Sequence, residues 1–201
     1  TKYRWVLAVN GTGLTKLDNT IDVTGAKDLA QNTMTPAQLA NVKVDQVIPT
    51  LPNVAILSNN AVTPGNGTNA GFAKVGDEVT VQFTASEDIQ TPTVTIANQA
   101  ATVSANPANP NWKGVYTMTN SETEGIVAFT IDFTDLAGNG GTQVTAVAGS
   151  GAGSSITFDK TNPVVSITAP DPNSCTNGTQ TLTFNVADTN ASTTTQAKIA
   201  A

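Results

Sequence analysis

Apolar residues recur at every second position in this chain. In Val79-Thr80-Val81-Gln82-Phe83-Thr84-Ala85, Val79, Val81, Phe83 and Ala85 fall on one side and polar residues on the other. Val94 and Ile96 repeat the pattern, as do Val127, Phe129, Ile131 and Phe133, then Ile156 and Phe158, then Leu182, Phe184 and Val186. Side chains of a strand alternate between its two faces, so such runs build half-buried strands and cannot form one stripe of a helix. Turn-forming clusters separate the runs: Pro64-Gly65-Asn66-Gly67, Asn106-Pro107-Ala108-Asn109-Pro110 and Gly138-Asn139-Gly140-Gly141. The one helix-like stretch, Pro36 to Ala40, is too short to change the class. Strands are expected near 53–57, 78–86, 92–97, 100–104, 112–119, 125–134 and 154–159. Many short alternating strands with such turns predict an all-β, antiparallel sandwich with Trp112 in or capping its core.

The pattern also repeats at long range. Trp112 follows Trp5 by 107 residues, and Asp135-Leu136-Ala137-Gly138-Asn139 follows Asp28-Leu29-Ala30-Gln31-Asn32 by the same 107. Thr130-Ile131-Asp132-Phe133 matches Thr20-Ile21-Asp22-Val23, and the linker 158–163 matches 44–49. Independently, Leu182 to Asp188 matches Val81 to Glu87 at a spacing of 101. Matches in the same order mark an array. The frame they set makes 1–47 the late half of a unit, 48–160 a complete unit, and 161–201 an early half. A half sandwich leaves an uncovered face and open edges. Its missing strands are expected either from a longer chain or from a neighbouring subunit.

Composition narrows the chemistry. The chain has 201 residues, 39% hydrophobic and only 12% charged, with a net charge of −6. That sign disfavours nucleic acid, which is bound by neutralising phosphates with Lys and Arg. No histidine and one cysteine, Cys175, exclude Cys/His zinc sites and histidine triads. Cys175 has no internal partner for a disulfide. No run approaches the roughly 18 apolar residues of a helical membrane span. An export signal is expected outside this sequence. Asn10, Asn66, Asn177 and Asn190 fit the glycosylation pattern, as composition alone predicts in an Asn- and Thr-rich chain. Glu122 and Glu124 read as a solvated turn rather than a catalytic pair, and no phosphate loop or nucleophile elbow is present. The expectation is a protein without catalysis.

Three segments carry a resemblance: 158–167 (Phe-Asp-Lys-Thr-Asn-Pro-Val-Val-Ser-Ile), 76–87 (Gly-Asp-Glu-Val-Thr-Val-Gln-Phe-Thr-Ala-Ser-Glu) and 134–139 (Thr-Asp-Leu-Ala-Gly-Asn). They resemble the bacterial Ig-like repeats of large surface proteins and adhesins. Units of that family open with an Asp-x-Thr-x-Pro linker, carry Ser-Glu after the second strand and place an Asp-x-Ala-Gly-Asn turn late. The linker Asp45-Gln46-Val47-Ile48-Pro49 lacks the Thr, and Gln31 stands where the turn has Gly. The resemblance implies tandem Ig-like antiparallel β-sandwiches, one complete unit flanked by two half units, with surface attachment or spacing as the role.

In such a fold the start of the first strand and the loops after the second and sixth meet at one end. Those places hold Asp45, then Glu87 and Asp88, then Asp135. Carboxylates from several loops at a module junction suit Ca²⁺, a hard cation taking about 6–8 oxygens in loose geometry. A purely local role also fits: Asp135 and Asn139 as turn formers, Asp45 and Asp159 as linker residues, Glu87 at a solvated strand end. Asp28 and Asp188 occupy the matching places in the half units.

The leading expectation is a structural spacer or stalk module of a bacterial cell-surface or secreted adhesin-like protein, whose partners are neighbouring Ig-like units. The alternative is a subunit of an extracellular filament, its half units completed by strands of other copies. A carbohydrate-binding module would need a row of exposed aromatics, which 2 Trp, 2 Tyr and 6 Phe at mostly inward positions do not supply.

Overall fold

The computed structural model of the chain describes residues 4, 17–60, 71–151, 154–169, 177–178, 181 and 183–188. Trp5, Leu182, Cys175, the turn at 64–67, and Asn10, Asn66 and Asn190 lie outside the described residues. The chain is all-β, with no α-helix among the described residues.

The alternating run at 79–85 becomes β5 (Glu78–Thr84), at the middle of the largest sheet. That sheet has the order β3 (Asn53–Ser58), β5, β9 (Asn111–Thr117), β8 (Thr102–Ala105), antiparallel throughout. Val54 lies opposite Phe83, and Phe83 opposite Trp112, so one face carries an aliphatic and an aromatic cross-strand pair. A second sheet orders β11 (Phe129–Asp132), β6 (Thr93–Ile96) and β7 (Gln99–Ala100). Residues 144–148 border both sheets: Val144 bridges to Ile131 and Ala148 to Val54. The inner faces close on one core containing Val54, Ile56, Val79, Val81, Phe83, Trp112, Val94, Ile96, Phe129 and Ile131, all buried. Two sheets on one core is the layering of a β-sandwich. At Gly114 they approach closely: a Cβ there would lie 2.8 Å from Cγ1 of Val94.

Three expectations need correction. The helix-like stretch at 36–40 is strand: β2 (Ala37–Val44) pairs antiparallel with β1 (Leu17–Val23). A few helix-forming residues do not repay nucleation, whereas a ladder to β1 uses every backbone group it faces. The runs expected at 100–104 and 125–134 each divide in two, because the chain changes partner inside them. Residues up to Ala100 pair with β6 and those from Thr102 with β9. Likewise Val127 N–H donates to Ile156, but Ala128 accepts from Ala97, which separates β10 (Gly125–Ile126) from β11. Finally, one ladder is parallel. β12 (Thr157–Phe158), antiparallel to β10, runs parallel to β4 (Phe72–Ala73), closing a small third sheet. A separate antiparallel hairpin joins β13 (Val164–Ala169) to β14 (Thr183–Ala187).

The strand directions give this unit two distinct ends. Thr84 pairs with Asn111 at one, and Glu78 with Thr117 at the other, roughly 20 Å away at about 3.4 Å per residue. The linker before β3 arrives at the first end, where Thr50 and Ser86 exchange hydrogen bonds. The linker after β12 leaves at the second, beside the loop that follows β9. Phe83→Ala is expected to lower unfolding free energy by about 3–5 kcal/mol, and Gly114→Ala by about 1–3 kcal/mol, in urea titrations.

Candidate functional site

The entry end is organised by one buried carboxylate. Asp135 is fully buried in the loop after β11. Its Oδ1 accepts the backbone N–H groups of Ala137, Gly138 and Asn139 at 2.7–2.8 Å, and its Oδ2 accepts Asn139 Nδ2 at 2.8 Å. Burial alone pushes this carboxyl upward. The hydrogen bonds from Asn139, Gly138 and Ala137 outweigh it and hold the group below the ordinary aspartate value. Asn139 Nδ2 also donates to the backbone oxygen of Asp45 at 3.1 Å, fastening the entry linker to the loop.

Glu87 reaches the same place through the segment that follows it. Ile89 bridges to Asp135, Gln90 N–H donates to Thr134, and Gln90 Nε2 donates to the backbone oxygen of Asp135. One carboxylate oxygen from each of Asp45, Glu87 and Asp135 lies within 4.8 Å of the others. Three of the four expected residues therefore converge. Asp88 does not: it is exposed and outside the cluster. The chain bends at Ser86 and Glu87 as it leaves β5, which leaves Glu87 half-buried and Asp88 exposed. The donors are all carboxylate oxygens from three separate segments, a set that could hold a metal ion. Asp135 Oδ1 is already taken by three N–H groups, so its Oδ2, bonded only to Asn139, is the oxygen it would offer.

The same loop occurs a second time. Asp28 accepts Asn32 N–H at Oδ1 and Asn32 Nδ2 at Oδ2, both at 2.8 Å. Asp28 N–H donates to Asn32, as Asp135 N–H does to Asn139. The flanking bridge Lys27–Thr33 corresponds to Thr134–Gly140, and Met34 N–H to Ala26 corresponds to Gly141 N–H to Phe133. Every one of these pairs is 107 residues apart. Gln31 adopts φ 69° where Gly138 has φ 100°, so the loop keeps its left-handed residue without glycine. The side-chain bonds from Asn32 hold the Asp28 carboxyl below its ordinary value as well. The linkers match too: Asp45 Oδ1 accepts Val47 N–H at 3.1 Å, and Asp159 Oδ1 accepts Thr161 N–H at 3.0 Å.

The exit end holds a group that the sequence reading placed in solvent. Glu122 is buried, 4% exposed. It accepts Tyr116 OH at 2.7 Å, Thr119 N–H at 2.6 Å and Ser121 OH at 2.8 Å. Burial pushes its carboxyl up, and the bonds from Tyr116, Ser121 and Thr119 overcome this, lowering it from 4.5 to about 2. Its only sequence signal is a tyrosine six residues upstream, which says nothing of which way the turn folds. Glu124 is exposed as expected, but it accepts Lys160 N–H and Thr161 OH, while Lys160 Nζ donates to the backbone oxygens of Asn120 and Glu122. The exit linker is thus fastened by hydrogen bonds, as the entry linker is.

Comparison with protein-family models, with curated proteins and with solved structures finds no match to this chain.

Asp135→Ala strands buried amide donors and is expected to cost about 2–3 kcal/mol of stability by urea titration. A carboxyl lowered on folding stabilises above its unfolded value and loses that contribution as pH falls. Stability should accordingly drop from pH 4.5 down toward pH 2 as Glu122 protonates. Glu122→Gln is expected to flatten this drop in acid denaturation, and to be less stable than the parent at pH 7.

Proposed function

We propose that this chain is a structural spacer: a stretch of a tandem array of Ig-like sandwiches standing outside the cell, without catalysis. The observation that carries the reading is the threading of the middle unit. The chain enters at one end of the strands and leaves at the other, and side-chain hydrogen bonds fasten both linkers to it. Units built this way string end to end with little slack at the joints. The recurrence at 28–32 of the aspartate–asparagine bonds of the 135–139 loop supports the tandem reading, as does the resemblance to bacterial Ig-like surface repeats.

Asp45, Glu87 and Asp135 would hold Ca²⁺ at the joint, with carbonyl and water oxygens completing its shell. The cation would supply positive charge between carboxylates that otherwise repel, tying the linker to two loops of the unit it enters. Extracellular modules bind Ca²⁺ at about 10⁻⁴–10⁻³ M, so such a joint stiffens outside cells.

Single-molecule pulling on the two ends tests both parts. The middle unit should open in one cooperative step that lengthens the chain by roughly 350 Å, at about 3.3–3.6 Å per released residue. Millimolar Ca²⁺ should raise the opening force in the parent and leave Glu87→Gln unchanged. A gradual extension without a step overturns the spacer reading. A step of the same force with Ca²⁺ and with chelator overturns the cation.

A further inference from the structure

At the exit end of the middle unit, one buried carboxylate is shared by an amine and a primary amide. Asp77, just before β5, is buried, and its backbone is fixed on both sides. Its N–H donates to the backbone oxygen of Lys74 at 3.1 Å, and its own carbonyl accepts Met118 N–H at 2.8 Å. Its side chain reaches two separate segments. Oδ1 accepts Lys74 Nζ at 2.7 Å, while Oδ2 accepts Asn60 Nδ2 and the Lys74 backbone N–H, both at 2.8 Å. Asn60 follows the end of β3, and its neighbour Asn59 is clamped to the start of β5. Asn59 N–H donates to Glu78 at 3.0 Å, and Glu78 N–H donates to Asn59 Oδ1 at 2.7 Å.

An ion pair between Lys74 and Asp77 needs only one carboxylate oxygen. Here the other oxygen holds the amide of Asn60, so an amine and an amide it can attack sit side by side on one group. A lysine amine is a nucleophile once a base has taken its proton, and a carboxylate within hydrogen-bond reach of that proton is such a base. Amides resist amines in solution, where the two must meet and orient by chance. Backbone bonds that fix Asn59, Lys74 and Asp77 remove that requirement.

We propose that Lys74 and Asn60 join through an amide bond between their side chains, with Asp77 as the catalytic residue. Asp77 Oδ1 takes a proton from the Lys74 ammonium, and the freed lone pair of Nζ attacks Cγ of Asn60. The Nζ–Cγ bond forms and the Cγ–Nδ2 bond breaks. Asp77 gives its proton to Nδ2, which leaves as ammonia and carries off the second proton of Nζ as ammonium. The chain loses one ammonia and one positive charge, Asp77 ends ionised as it began, and nothing is oxidised or reduced. The Lys74 side chain is 64% exposed, which gives the ammonia a way out. The bond closes residues 60–74 into a ring and ties the end of β3 to β4, whose parallel partner β12 leads into the exit linker. It lies wholly within the middle unit and does not depend on the array.

Mass spectrometry of the intact, folded 201-residue chain tests the bond. The parent should be lighter than its sequence by one ammonia. Trypsin should pass over Lys74 and release one peptide spanning 44–113 in place of 44–74 and 75–113. Lys74→Arg keeps the charge at an exposed position but offers no amine nucleophile, and it should have its full mass. Asp77→Asn keeps the shape without the base and should also have its full mass. The ring restrains the unfolded chain, so Lys74→Arg should melt below the parent, in a transition that shows it is folded. A folded parent of full mass that trypsin cuts after Lys74 overturns the proposal. So does a missing ammonia that persists in Lys74→Arg, because the asparagine has then cyclised on its own backbone. A bond that still forms in Asp77→Asn overturns the role given to Asp77. Should Asp77→Asn fail to fold, the parent and Lys74→Arg still decide the bond.

Discussion

A sheet with one apolar face is stable only when a second layer lies on it, and the rest of this structure follows from how that demand is met. In the middle of the chain it is met internally: β5 and β9 set Val79, Val81, Phe83 and Trp112 against Val94, Ile96, Phe129 and Ile131. Gly114 leaves room for Val94 where the two layers meet, because any larger residue would push Val94 away. Strands that change partner at Ala101 and at 127–128 let one continuous chain serve both layers, which is why they are short. In β1–β2 and β13–β14 the same alternation recurs, with Ile21, Leu39, Val165 and Ile167 exposed.

Much of this was legible in the residues. Alternation placed Val79, Val81, Phe83 and Ala85 inward correctly, since a period of two leaves no other register once one face is buried. The expected fold pointed to Asp45, Glu87, Asp88 and Asp135, because the start of its first strand and the loops after the second and sixth meet at one end, and all but Asp88 converge there. What escaped depends on which partners the folded chain supplies. β2 reads locally as helix and is strand because β1 lies beside it. The two-residue β4 and β12 have no pattern of their own, and their parallel pairing is set by where the surrounding loops close. Asp88 looks equivalent to Glu87 until the bend at 86–87 turns only Glu87 toward the buried side. Glu122 looks like a surface residue until Tyr116 and the Thr119 amide fold over it.

The segments before β3 and after β12 are held by the same device, a carboxylate that takes backbone N–H groups and so fixes a loop, which then grips the neighbouring segment. At the entry it is Asp135 acting through Asn139, and at the exit Glu122 and Glu124 acting on Lys160 and Thr161. Hydrogen bonds to a charged acceptor are stronger than neutral ones, and here they hold the charged form against burial. A low-charge chain can thus concentrate its few carboxylates where the path of the backbone has to be specified.

The position of β3 has a mechanical consequence. The entry linker runs straight into this strand, which is bonded to β5 along its length and to Ala148 on its other side. Tension on the linker acts along the strand axis, so the ladder between β3 and β5 is loaded in shear and its bonds share the force at once. A strand peeled from its corner would give them up one at a time, as a zip does. Placing the entrance and exit at opposite ends therefore selects the stiffer of the two ways a sheet can be torn.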